Sequence, residues 1–445
     1  MTFNPAVLDE RLSALAAGDD GPGRFLVAFS GGVDSTVLLH ALVACEHGRE
    51  AEVVAVHVDH GLHRDSGSWA THCSDVAAEF GVDFLCRKVL VAEDSGIGIE
   101  AAARQSRYAM LQSLIRDGDC LLSAHHEDDQ AETLLLNLLR GSGLAGLAGI
   151  GARQRFGAGT LLRPLLGVSG AAIESYAREH GLRWIDDPSN EDLRFDRNFL
   201  RREIVPLLAT RWPAVTARLR RSADLASEAS ELLHDLAALD LAVVGDARRL
   251  SIPALSTLSP ARQRNVLRYA VRVCGLPPPP ATRLYQAIHE LIPAREDAQP
   301  LVAWPGAELR RYREHLYVLS AADAEVDVAP GPLAKATPSI ELGPGWGRLC
   351  LEADAHGGID ARTVAAGLEL RFRSGGEEIR PVGQDRTRKL KKLLQEEGIV
   401  PWMRQRLPLL FAGDDLVAVA DLWVASEFSA DRGYKVRWDG RPALY

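Results

Sequence analysis

The segment Phe29-Ser30-Gly31-Gly32-Val33-Asp34-Ser35-Thr36 decides how the rest of this chain is read. An apolar run, Arg24 to Phe29, precedes it, and a helix-like run, Thr36 to Gly48, follows. Two adjacent glycines let a backbone turn tightly and approach a ligand without Cβ interference. Ser30 and Ser35 flank them with hydroxyls, and the first N–H groups of the following helix lack intrahelical acceptors. A strand, a loop of this kind and a helix N-terminus together make an anion cradle suited to phosphates. The loop holds no lysine, which separates it from the GxxxxGK(S/T) loop that grips β- and γ-phosphates. Asp34 is instead a candidate Mg²⁺ ligand, because Mg²⁺ commonly binds through one or two carboxylates plus substrate phosphates.

Outward from this loop, strand and helix patterns alternate through the first third. Apolar strands are predicted at 25–29, 53–58, 84–89 and 120–124, with amphipathic helices at 37–45, 69–80 and 101–115. That spacing implies right-handed βαβ units and a parallel sheet. The predicted fold is α/β, a doubly wound parallel sheet with helices on both faces over residues 1–212. Three polar clusters fall at strand ends, where such sheets bind ligands. They are SGGVDS, His57-Val58-Asp59-His60-Gly61, and the run from His125 to Thr133. After Trp212-Pro213 the pattern turns helical (225–241, 260–273, 283–292), giving a helical middle domain at 213–320. Residues 321–347, rich in Pro, Gly and Ala, read as a linker. A small α+β domain with a helix at 389–397 completes the chain at 348–445.

The chain has 445 residues, ordinary soluble composition and no apolar stretch long enough to span a bilayer. Its N-terminus lacks the basic start and apolar stretch of a secretory signal, and its six cysteines form no CxxC pair. These features predict a cytoplasmic protein without a zinc ribbon or disulfide framework. A net charge of −9 argues against wholesale electrostatic binding of nucleic acid. Two islands run the other way. Between Arg194 and Arg221 eight arginines face two acids, and between Arg371 and Lys392 eight basic residues face three acids. Basic islands on an acidic protein suit an extended anionic partner, although either alone is equally a solvated helix face.

In His125-His126-Glu127-Asp128-Asp129-Gln130-Ala131-Glu132-Thr133, helical spacing lets Glu132 share a face with Asp128 or Asp129. The zinc signature HExxH fails here. First-turn acids also complement a helix dipole, and Asp128 could serve only as a cap. Arg104 and Arg107, three apart, can each reach a phosphate or carboxylate bidentately, with a surface ion pair as the plainer role for Arg107. Phe195, Phe199 and Trp212 interleave the first basic island and read as core rings more readily than as base-stacking platforms.

SGGVDS resembles the pyrophosphate loop of the N-type ATP pyrophosphatases, the PP-loop superfamily. In sequence order, SGGVDS, HVDHGL, AAARQSRY, AHHEDDQAETLLLNLLRGSGLAGL, RPLL, DPSNEDLRFDRNFLRREIVPLL and KLKKLLQEEGIVPWMRQRLPLLF resemble tRNA(Ile)-lysidine synthetases. The resemblance runs from about residue 22 to 430. It implies ATP as substrate, held by Ser30, Gly31, Gly32, Val33, Asp34 and Ser35, with Asp34 touching Mg²⁺. It places Arg104, Asp129 and Glu132 at the catalytic centre, with Asp128 a further candidate, and puts Arg197, Asn198 and Arg201 at the tRNA. Arg388, Lys389, Lys391 and Lys392 of the second island would also touch tRNA. The partners so implied are tRNA(Ile) with a CAU anticodon and free L-lysine, with a homodimer as a further expectation and no membrane. HVDHGLHRDS departs from the pattern, carrying His63 where arginine is expected and Arg64 one step later.

The implied reaction makes lysidine. Adenylylation of the wobble cytosine's C2 oxygen turns a poor leaving group into AMP, and the lysine amine then attacks C2. Neutralising an amine of pKa near 10.4 at pH 7 costs about 4.6 kcal/mol, so a nearby proton acceptor matters. Asp128, Asp129, Glu132, His125 and His126 are the candidates. Three rivals weaken on the residues. Thiolation enzymes typically need paired cysteines, and amidotransferases a glutaminase domain. A non-turnover nucleotide sensor has no need of the acidic cluster.

Overall fold

The structure is a computed structural model describing residues 2–16, 23–61, 66–90, 99–295, 298, 300–320, 331–333, 338–343, 345–442 and 444. The loop positions His63 and Arg64 lie outside the described residues. The chain divides into two units, Met1–Leu232 and Leu233–Tyr445.

The first unit runs α1 (Pro5–Ala16), β1 (Arg24–Ala28), α2 (Val33–Ala44), α3 (Glu46–Glu50), β2 (Glu52–Asp59), α4 (Ser66–Glu79), β3 (Asp83–Lys88) and α5 (Ile99–Leu114). It continues with β4 (Cys120–Leu122), α6 (Glu127–Leu139), α7 (Leu144–Leu147), β5 (Arg153–Phe156), β6 (Gly159–Leu162) and α8 (Gly170–Glu179). The helices α9 (Asp196–Phe199) and α10 (Val205–Arg211) follow, and α11 (Val215–Val244) begins in this unit and ends in the second. The sheet order is β3-β2-β1-β4-β6-β5, parallel except for β5, which pairs antiparallel with β6. Side chains alternate across the pleat. Phe25, Val27 and Phe29 enter one core with Leu8 of α1, Val37 and Leu38 of α2, Val76 of α4 and Ile173 of α8. Leu26 enters the other with Leu111 of α5, Leu121 and Leu161. The sheet is therefore covered by helices on both faces. Its connections reverse direction between β1 and β4, which makes their carboxyl ends the switch point where ligands bind.

An ion pair anchors the opposite end of these strands. Arg24 Nε donates to Asp119 Oδ1 at 3.1 Å, and Asp119 Oδ2 accepts from the Arg116 backbone N–H at 2.7 Å. Burial alone would raise the Asp119 carboxyl, but the Arg24 guanidinium and the Arg116 amide hold it below its usual value. A depressed carboxylate contributes stability above its unfolded pKa of about 3.9, lost as pH falls through the folded value. Asp119→Asn is expected to cost about 2 kcal/mol at pH 7 and progressively less below pH 4, checked by urea melts across pH.

In the second unit, the helix predicted at 260–273 is Pro260–Val273, amphipathic and capped by Ser259. The helix predicted at 225–241 is longer, because α11 begins at Val215. The middle region also carries a five-stranded antiparallel sheet that includes Leu301–Trp304, Ala307–Tyr312 and His315–Ser320. Of the expected linker 321–347, residues 321–330, 334–337 and 344 lie outside the described residues, and the described part includes strands. Gly331–Leu333 and Ser339–Glu341 are edge strands paired with Leu368–Phe372 and Arg348–Asp354. Leu333, Leu342 and Trp346 are buried in the C-terminal core. Pro332 fits because an edge strand can forgo a ladder N–H.

Candidate active site

The loop after β1 turns at Gly31, whose φ is +84°. A Cβ there would stand 2.7 Å from Cys73 Sγ and 2.8 Å from Ile185 Cδ1. Glycine is thus required both by the left-handed conformation and by space. The Gly31 carbonyl accepts from the Ile185 N–H at 2.8 Å, tying the loop to the segment after α8. Ser30 and Ser35 hydroxyls lie 3.1 Å apart, and Ser35 Oγ and Thr36 Oγ1 each donate to the Gly32 carbonyl at 3.0 Å. Gly32 is the N-cap of α2, and Val33, Asp34 and Ser35 form its first turn.

β4 delivers the acidic cluster to the same edge. His126 is the N-cap of α6: its Nδ1 accepts from the Asp128 N–H at 3.3 Å, while Asp129 Oδ2 accepts from the His126 N–H at 3.0 Å. Accepting at Nδ1 leaves the ring proton on Nε2. That nitrogen stands 3.7 Å from Asp34 Oδ1 and 3.6 Å from Asp129 Oδ2, so one imidazole edge joins the phosphate loop to the acidic helix. Asp128 turns aside, accepting from the Gly170 N–H at 3.0 Å and so holding the start of α8.

Glu132 is 1% exposed. A carboxylate so buried needs counter-charges, and two arginines supply them. Arg197 Nε donates to Glu132 Oε2 at 2.8 Å, and Arg201 Nε donates to Glu132 Oε1 at 2.6 Å. Their Nη2 groups both reach Asp129 Oδ1, at 3.2 and 3.0 Å. Burial would raise Asp129, yet His126, Arg197 and His125 hold it below the usual carboxylate range. Burial pulls the Arg201 guanidinium down, but Glu132 and Asp129 more than reverse this and its pKa is raised. Burial raises Asp34, opposed by His126 and reinforced by Asp129. Burial also pushes His125 down to about 3, so that ring is neutral at pH 7, with Nδ1 2.5 Å from Ser123 Oγ.

Arg197, Asn198 and Arg201, expected at the tRNA, turn their polar heads inward in this structure. The two arginines neutralise Asp129 and Glu132, and Asn198 Nδ2 donates to the Ser189 and Asp192 carbonyls. The backbone permits this through a π-helical turn, Leu200–Ile204, placed just ahead of Pro206, which has no N–H to continue the ladder. In the C-terminal domain, Arg388 is paired with Glu396. Lys389, Lys391 and Lys392 are exposed beside Leu390, Leu393 and Leu394, which face the core.

Beside the cluster lies a cavity of about 600 Å³, lined by Arg104, Thr133, Asn137, Arg140, Gln154, Arg163, Arg194, Phe195 and Arg197 among others. Arg104 stacks on the Tyr108 ring, 5.0 Å from its centroid. Arg163 was not singled out from the sequence as a site residue. The available signal was a charge inside the apolar run 161–166.

For Mg²⁺, the oxygens on offer are those of Asp34 and Asp129. Among the described residues no group of three His, Cys, Asp or Glu could hold a metal by itself. The donor set fits a hard cation whose remaining ligands are phosphate oxygens. The raised Asp34 carboxyl also fits, since a cation would offset the burial, and to a lesser degree the neighbouring Asp129 and Asp128, that disfavour its charge.

A phosphate loop at this switch point defines an ATP-using enzyme of the PP-loop class, and a PP-loop domain model matches residues 6–208. Models for the TilS substrate binding domain and the TilS substrate C-terminal domain match residues 250–317 and 368–438. The tRNA(Ile)-lysidine synthase of Alkalilimnicola ehrlichii is 44% identical over 436 residues, covering 98% of this chain and 96% of its own. That of Xanthomonas campestris pv. campestris is 43% identical, covering 91% and 92%. That of Coxiella burnetii is 37% identical, covering 98% and 96%. The chain belongs to the tRNA(Ile)-lysidine synthase family.

Proposed function

We propose that the chain uses ATP to adenylylate the wobble cytidine of tRNA(Ile) with a CAU anticodon and joins free L-lysine to its C2. The product is lysidine, with release of pyrophosphate and AMP. The observation that carries this reading is the meeting of Asp34 with Asp129 across His126 Nε2 at the β1–β4 switch point. It sets a phosphate cradle against carboxylates able to attract an amine.

Ser30, Gly31, Gly32, Val33, Asp34 and Ser35 seat the phosphates, the α2 N-terminus contributing oriented N–H groups. Asp34 would hold Mg²⁺, which when bound would supply charge neutralisation for the departing pyrophosphate. Arg104, on the cavity wall, offers a second positive charge to the reacting groups. Asp129, which meets Asp34 across His126 Nε2, draws the lysine ammonium. Glu132 acts at one remove, fixing Arg197 and Arg201, and Asp128 fixes α8. As RNA approaches, Arg197 and Arg201 exchange part of their carboxylate contacts for phosphate.

The second basic island takes the tRNA backbone through Lys389, Lys391 and Lys392. Replacing Lys391 and Lys392 by glutamine is expected to weaken tRNA binding across sequences. The slope of log affinity against log salt falls by about 0.9 per lost phosphate contact. Loss of turnover at saturating tRNA would contradict this placement. Among the described residues no helix is long and apolar enough to cross a membrane, and we place the reaction in the cytoplasm. A homodimer belongs to the same reading. Its support is the exposed pair Leu225 and Leu232, spaced by seven on α11, and sedimentation tests it.

Nucleoside mass spectrometry after incubation with ATP, lysine and the CAU tRNA tests the whole. The wobble cytidine should gain lysine minus water. An unmodified cytidine, or ATP turnover independent of lysine, would contradict the assignment.

A further inference from the structure

Arg163 lies just past β6 in the run Leu161-Leu162-Arg163-Pro164-Leu165-Leu166 and is 4% exposed. Its Nη1 donates to the Gly151 carbonyl at 2.6 Å and to Gln154 Oε1 at 3.2 Å, both neutral acceptors. Its buried Nε has no partner. The side chains acting on its charge are the Tyr108 hydroxyl and Arg104, and the second repels it. Arg197 and Arg201, by contrast, each hold two carboxylates. A buried guanidinium without a counter-charge is costly, and this one lines a cavity with Arg104, Arg140, Arg194 and Arg197. Asp196, which pairs with Arg140 at 3.7 Å, is the one acid in the lining. Arg194 pairs with Asp192 and Arg197 with Asp129 and Glu132, which leaves, among the described residues, Arg163 and Arg104 as the lining guanidiniums without a carboxylate, and these call for an anion in the cavity.

Its shape selects the anion. The side chains of Arg140 and Arg194 are 65% and 87% exposed, within reach of a bulky phosphodiester. A guanidinium as enclosed as Arg163 can be met only by a small terminal oxyanion. At the same time the lining includes Thr133 and Arg197, the first adjacent to Glu132 in sequence and the second bonded to it. The lining itself is cationic, and Arg197 ties it to the carboxylates of Asp129 and Glu132 behind it, an arrangement that suits an amino acid carrying a second amine. Resting on the reaction proposed above, we propose that Arg163, with Arg104, seats the α-carboxylate of the free amino-acid substrate and thereby aims its side-chain amine at the Asp129 end. Arg163 is then a specificity residue for a free carboxylate.

The test compares lysine, lysinamide and 1,5-diaminopentane as amine substrates of the full-length enzyme with ATP and CAU tRNA. Product is read by nucleoside mass spectrometry. The wild type should use both analogues about 10- to 100-fold less efficiently in kcat/KM, the worth of a charge-assisted hydrogen bond. Arg163→Gln should raise the lysine KM by a comparable factor, leave the tRNA KM unchanged and abolish discrimination against lysinamide. Arg163→Lys, which keeps the charge but loses the fork, should fall between. Wild-type enzyme that accepts lysinamide as readily as lysine overturns the proposal even if the variants fail to fold. A variant whose tRNA KM rises while its lysine KM does not identifies a phosphate seat and overturns it too. No product with lysine itself would remove the proposed function, and this assignment with it.

Discussion

Replacing Asp34 by alanine should lower lysine-dependent pyrophosphate release by about three orders of magnitude, the scale of losing one preorganised charge in a water-poor site. The fold should not suffer. Burial raises the Asp34 carboxyl, so its ionised form is disfavoured in the folded state. A raised pKa contributes stability below the unfolded value of about 3.9, lost as pH rises through the folded one. Asp34→Asn is therefore expected to be at least as stable as the wild type at pH 7 and to lose that relative advantage near pH 3. Stability and activity move in opposite directions, as expected of a carboxylate positioned for a cation. A variant that retains turnover, with unchanged metal dependence, would remove Asp34 from the chemistry.

Glu132→Ala should cost both stability and turnover. The change leaves two guanidiniums without one of the two carboxylates they share. Breaking a buried pair costs about 3–5 kcal/mol. The low end is expected here because the arginine side chains are 27% and 40% exposed and regain water. Activity should fall further than stability explains, since Asp129 would then hold both arginines alone and be less free to attract an amine. A double-mutant cycle of Glu132→Gln with Arg201→Gln, followed by chemical denaturation, reads the coupling. We expect a non-additive term above about 1 kcal/mol, and additivity would show that the contact carries little energy.

Much of the first unit was legible in the sequence because its signals are local. The strand predicted at 25–29 is Arg24–Ala28, and that at 53–58 is Glu52–Asp59. Both are continuous apolar runs of the kind that a sheet covered on both faces demands. The phosphate loop was legible because Gly31 leaves little choice of residue. The middle sheet was not, since strands such as Leu301–Trp304 are short and joined by tight turns such as Pro305-Gly306. Helical periodicity on either side dominated the pattern. The strands hidden in the expected linker were masked by Pro332 and nearby glycines, which edge positions tolerate.

The site was legible in its residues and not in its pairings. Counting charge along the chain presented Arg197 and Arg201 as part of a basic surface. Their counter-charges, Asp129 and Glu132, lie more than sixty residues earlier and meet them only in the folded chain. The same limit hid Arg163, whose significance is that its partners in three dimensions are neutral and none is a carboxylate. His126 was one of several candidate bases in sequence, and its N-cap geometry gives it a positioning role.

Following one labelled oxygen examines the chemistry most directly. The CAU tRNA would carry heavy oxygen at C2 of its wobble cytosine, and the enzyme would be given ATP and lysine. If this loop directs attack on the α-phosphorus, the label leaves with AMP, one heavy oxygen per lysidine formed, and pyrophosphate stays light. Label recovered in water or pyrophosphate, or nucleotide recovered as ADP, would contradict the account.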